Sequence, residues 1–98
     1  MYDKGNGVLQ DYVEAAKWYR KAADQGNADA QYNLGALYAN GEGVPQDFVQ
    51  AHMWFNLSGA QGNEAAAHNR DMLAGRMATA QLAEAQRLAR EWKPKNEH

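Results

Sequence analysis

Cysteine is missing from all 98 residues, so neither a disulfide framework nor a thiolate nucleophile is open to this chain. A chain without Cys is tolerated inside or outside a reducing compartment, so no localisation follows. No apolar run approaches the roughly 20 residues that cross a bilayer, and the opening "MYDKGNG" has no apolar stretch of the signal-peptide kind. Membrane insertion is not expected. Basic charge is also scarce where it would count: between Lys21 and Arg70 there is no Lys or Arg, while Asp29, Glu42 and Asp47 lie in that span. With a net charge of −2, the chain lacks the basic stripe of a nucleic-acid binder, and no nucleic acid is expected as a partner. The cation-poor span has two readings, a repeat surface built from Gln and Asn or a mildly acidic patch for a basic or polar partner.

What is present is enough for one folded domain, at 45% hydrophobic and 22% charged residues. Its main feature is repetition. The stretch "GNGVLQDYVEAAKWYRKAADQGNADA" returns as "GEGVPQDFVQAHMWFNLSGAQGNEAA" at an offset of 36 residues, the length of a supersecondary unit. Within the first copy, Ala15, Trp18, Tyr19, Ala22 and Ala23 recur at helical spacing, which predicts a helix over 12–25 with one buried face, capped by Asp11 and stopped by Gly26. Its twin is predicted over 48–61, with Asp47 as cap, Ala51, Trp54 and Phe55 on the stripe and Gly62 as stop. Ser58 and Gly59 replace Ala22 and Ala23, and a Gly inside a helix suggests that small size is needed there.

Between these helices, Ala30, Leu34, Leu37 and Tyr38 form another helical stripe. Gly35 within it makes sense if a second helix crosses closely. Gly41 and Gly43 permit positive φ in the connection, and Val44 and Pro45 precede the next cap. Each unit is therefore helix, short loop, helix, and its apolar stripes require neighbours to cover them.

The third copy drifts, with Arg70, Asp71 and Ala74 standing where Leu34, Gly35 and Tyr38 stand one unit earlier. After Gly75, Leu82, Ala85, Leu88, Ala89 and Trp92 make an apolar stripe opposite Glu84, Arg87, Arg90 and Glu91, the pattern of a terminal capping helix. Residues 93–98 read as a frayed tail. At the other end Tyr2 aligns with Tyr38, so the first unit begins partway through, and the stripe bearing Trp18 and Tyr19 is an expected association surface. Self-association there is the first expectation.

Catalytic and metal constellations find no support. His52, His68 and His98 show no ligand pairing, so no metal is expected; His52 reads as a helix-surface residue and His68 as lying on or near a groove. Ser58 has none of the context of a nucleophile elbow. "GNGV" and "GEGV" lack the order of a phosphate loop and read as turns. Asp11 and Asp47 recur at matching positions, which suits capping. Trp18, Trp54 and Trp92 sit at stripe positions and read as core. No enzyme activity and no cofactor are expected.

The pattern at Ala30, Leu34, Gly35, Tyr38, Gly41, Gly43, Val44, Asp47, Ala51, Trp54, Phe55, Gly62 and Asn63 resembles the Sel1-like repeats, relatives of the tetratricopeptide repeats. The closing "AEAQRLAREW" is similar to the C-terminal helix of many such proteins. The resemblance implies an all-α fold, an α-solenoid of antiparallel helix pairs: an incomplete repeat at 1–26, a complete one at 27–62, and a degenerate one with capping helix at 63–92. It also implies a bacterial scaffold or adaptor that binds a protein or peptide through a concave groove lined by first helices. Carried onto this sequence, the groove would present Asp29, Tyr32, Asn33 and Ala36, then Ala65, His68, Asn69 and Met72. The second reading is a structural segment or regulatory subunit of an enzyme encoded elsewhere.

Overall fold

A computed structural model describes residues 6–95, with side chains from Asp11 onward. Five helices follow in order, α1 (Asn6–Asp24), α2 (Ala28–Asn40), α3 (Phe48–Ala60), α4 (Glu64–Ala74) and α5 (Thr79–Glu91). The described residues contain no strand. The fold is all-α, as expected.

Corresponding residues start and stop corresponding helices. Asn27 accepts from the Ala30 amide at 2.8 Å, and Asn63, one repeat later, accepts from the Ala66 amide at 2.9 Å. Asp47 caps α3 through the Gln50 amide at 3.1 Å. Each cap satisfies one of the amides that a helix N-terminus leaves without an intrahelical partner. Gly26 and Gly62 follow the ends of α1 and α3 with φ of 101° and 105°, a region that costs other residues strain.

One boundary differs from expectation. α1 runs from Asn6 through Asp11 without a break, so Asp11 is no N-cap and the first "GNGV" is not a turn from Asn6 onward; Gly5 lies outside the described residues. The second copy breaks its helix here because Pro45 has no amide to donate and disfavours helical backbone at Val44. Leu9 at the matching position imposes neither constraint. Gly43, with φ 77°, lies so close to the Tyr12 carbonyl that a Cβ would overlap it, which seats the α2–α3 connection against α1.

Close crossings explain the other unusual glycines. At Gly35 a Cβ would stand 2.9 Å from the Phe55 ring, and at Gly59 it would stand 3.2 Å from Ala67. These are the points where α2 meets α3 and α3 meets α4. The core splits into two clusters on either side of α3, one around Trp54, Met53, Leu34, Ala30 and Ala23, the other around Phe55, Ala51, Ala66 and Leu73. α3 is thus surrounded, and a run of five residues from Ala51 to Phe55 is buried.

That surrounding corrects one reading. His52 is buried, not a helix-surface residue, because α4 covers the side of α3 that a single amphipathic helix would leave wet. Burial pushes its imidazole below the ordinary value, the Arg70 guanidinium adds to the effect, and the Asp71 carboxylate opposes it.

Polar groups tie successive units together. The buried Gln31 donates to the Ala23 carbonyl at 3.1 Å and accepts from Gln61 at 2.8 Å, and the Ser58 hydroxyl donates to the Ala28 carbonyl at 2.7 Å. Ser58 is therefore a small residue at a helix contact, as expected, and also supplies a partner for a carbonyl at the start of α2.

The last helix does not repeat the pairing of α2 with α3. Asp71 stands where Gly35 stands one unit earlier, and α5 packs across α3. Ala85 is its buried centre, with Leu88, Ala89 and Trp92 against the Trp54 cluster. Glu84, Arg87, Arg90 and Glu91 face solvent, and Arg87 bridges Glu84 at 2.7 Å and Glu91 at 2.9 Å. Residues 93–95, expected to fray, are tied to α1 where the Lys95 amide donates to the Asp24 carbonyl at 2.6 Å.

Candidate functional site

α2 and α4, the first helices of their units, flank α3, and between them opens a cleft of about 210 Å³. Ala36, Ala39 and Asn40 form one wall, Asn69, Met72, Leu73 and Arg76 the other, and Phe55 of α3 the floor. The floor is fixed by packing, since Phe55 is only 3% exposed and Tyr32 lies against it with ring centroids 5.9 Å apart. Met72 is 59% exposed, an apolar side chain held at the surface beside an apolar floor.

Of the eight residues that the sequence nominates, the structure brings Ala36, Asn69 and Met72 together in the cleft, with Tyr32 buttressing its floor. Asp29, Asn33, Ala65 and His68 are not among its lining residues. Asp29, Ala65 and His68 are exposed on the same two helices, and Asn33 is half-buried. Sequence reasoning missed Ala39, Asn40, Leu73 and Arg76, although one further helical turn along each nominated stripe leads to Ala39, Asn40 and Arg76. Phe55 carried no such signal, because it belongs to a second helix.

The cleft is lined by apolar surface and a few polar groups. Its lining offers apolar surface, the two amides of Asn40 and Asn69 and the guanidinium of Arg76, which makes no ion pair among the described residues. Neither a carboxylate nor a histidine lines it. Among the described residues no group of three His, Asp or Glu side chains is placed to hold a metal ion.

The paired helices, their 36-residue offset and their matched caps agree with a comparison against family models, in which the Sel1 repeat matches residues 1–27 and again 28–63. The chain belongs to the Sel1 repeat family. No curated protein matches the chain. Sel1 repeats form helical solenoids of the tetratricopeptide-like kind and generally serve as protein–protein interaction modules, a role in keeping with the lining of the α2–α4 cleft. No helix among the described residues of this Sel1 repeat chain is long and apolar enough to cross a membrane.

A second surface appears where the core expectation fails. Trp54 is 1% exposed, but Trp18, its counterpart one repeat earlier, is 68% exposed. Trp54 shares its cluster with Ala30 and Leu34 of α2 and with Trp92 of α5. Among the described residues no helix precedes α1 to do for Trp18 what α2 does for Trp54. The buried side of α1 turns accordingly to Ala16, Tyr19 and Ala23.

Proposed function

We propose that this Sel1 repeat chain is a non-catalytic scaffold or adaptor whose α2–α4 cleft takes a segment of a partner protein. The observation that carries this reading is the pairing of a well-packed aromatic floor, Phe55, with the exposed Met72 on the wall. A preformed apolar recess rimmed by amides suits one anchoring side chain of a peptide, whose backbone the amides of Asn40 and Asn69 would meet. The expected contact set is Tyr32, Ala36, Asn69 and Met72, with Asp29, Asn33, Ala65 and His68 along the flanks of the same two helices.

Selection from a phage-displayed library of random peptides tests this. Enriched peptides that bind the native chain and lose at least tenfold in affinity on Met72→Glu support the reading. A library that yields no binder, or binders indifferent to Met72→Glu, overturns it. Met72 is mostly exposed, so the variant leaves the core intact.

A second use rests on a separate observation, the exposure of Trp18. An indole left in water at a position that its counterpart buries favours association through the α1 end of the molecule. Concentration-dependent association that Trp18→Ala weakens supports this use; a chain that is monomeric at every concentration removes it.

A further inference from the structure

The outward side of α1 carries a pattern whose contacts among the described residues all stay within α1. Asp11, Glu14, Trp18, Lys21 and Gln25 are all exposed, and their spacing of three or four residues places them on one stripe. The four that lie within the helix are spread along it with their charge divided by Trp18, acidic before it and basic after it. Gln25 follows at the helix end. Lys17 flanks the stripe 3.6 Å from Glu14. Arg20 turns the other way, to Asp24, Tyr38 and the face of Trp54. Lys21 rests 6.0 Å from the Trp18 ring, a loose exposed contact that a stronger partner can replace.

We propose that the chain forms a twofold dimer in which α1 packs antiparallel on α1 of a second copy, with the two Trp18 rings nearest the axis. This rests on the reading that the α1 end associates, and adds the partner and its orientation. An antiparallel arrangement sets Glu14 opposite the second copy's Lys21, twice by symmetry, and Asp11 opposite the second copy's Gln25. A parallel arrangement sets Glu14 on Glu14 and Lys21 on Lys21. Antiparallel helix dipoles favour the same choice. A twofold contact is self-complementary and closes at two copies, so it does not propagate into filaments. One helix per copy makes an interface smaller than the roughly 1,600 Å² of a standard stable complex, so the dimer dissociates on dilution.

Sedimentation velocity over a range of concentrations reads the outcome, with circular dichroism to check that each variant is folded. The native chain is expected to show a reversible monomer–dimer equilibrium. Trp18→Ala should weaken it at least tenfold, as should Glu14→Lys or Lys21→Glu alone, and the Glu14→Lys/Lys21→Glu double variant should return to native affinity. A strictly monomeric native chain, as when another segment or protein is the proper cover of Trp18, overturns both this proposal and the reading beneath it. Weakening by Trp18→Ala without recovery in the double variant leaves association through α1 standing and overturns the antiparallel dimer.

Discussion

Trp54 and Trp92 meet edge to face, their ring centroids 6.2 Å apart and their planes at 76°. The first belongs to the second matched repeat and the second closes α5, so this contact fastens α5 to α3. Edge-to-face pairs add roughly 0.5–1.5 kcal/mol to the area that they bury.

Trp92→Ala is expected to lower the unfolding free energy by about 2–3 kcal/mol, less than a fully buried Trp because part of its ring is already wet. Urea denaturation measures the loss. With Trp18 replaced by Phe, Trp54 is the sole indole in both the Trp92→Phe and the Trp92→Ala variant, and its emission should lie further to the red in the Ala variant as α5 loosens.

Gly35→Ala separates close packing from helix propensity. Alanine favours a helix over glycine by about 1 kcal/mol, yet here its Cβ would stand 2.9 Å from the Phe55 ring and 3.3 Å from the Ala51 carbonyl. Overpacking a buried contact costs about 1–3 kcal/mol, and Phe55 has little room to move. A net loss of stability is expected, read as a lower urea midpoint with an unchanged slope.

Asn27 and Asn63 occupy the same place in successive repeats and make the same cap. Asn27→Ala and Asn63→Ala should therefore each cost about 1 kcal/mol. Similar shifts in thermal midpoint would show that the repeats weigh alike; a loss at one position alone would show that they do not.

His52 predicts a pH dependence. Its folded value lies below the ordinary one of about 6.5, so the unfolded chain takes up the proton first as pH falls. Its stabilising contribution is present in full above the unfolded value and is lost as pH falls through it towards the folded one. Thermal midpoints of the native chain should drop more steeply between pH 7.5 and 5.5 than those of His52→Gln, which lacks this titration.

Much of the architecture was legible in residues a helical turn or a whole repeat apart. Gly35 announced a close crossing, Asp47 a cap and Gly62 a stop, because each of these meanings is local and comes from backbone sterics or hydrogen bonding. Leu82 to Trp92 announced a terminal helix with one apolar side. Ala36, Asn69 and Met72, which line the cleft, belong to the groove that the family resemblance implied; the Phe55 floor had no such signal, since its position depends on how deeply α3 sits between α2 and α4.

By itself the sequence determined the repeat, its helices, most of their ends and the family, since these follow from spacing along one chain. Tertiary structure decided what each face meets. His52 became core because α4 covers it, and α5 found its cover across α3. Trp18 faces water while Trp54 is sealed by α2 and α5, because burial is a property of the neighbours a side chain acquires, and two copies of one motif need not acquire the same ones.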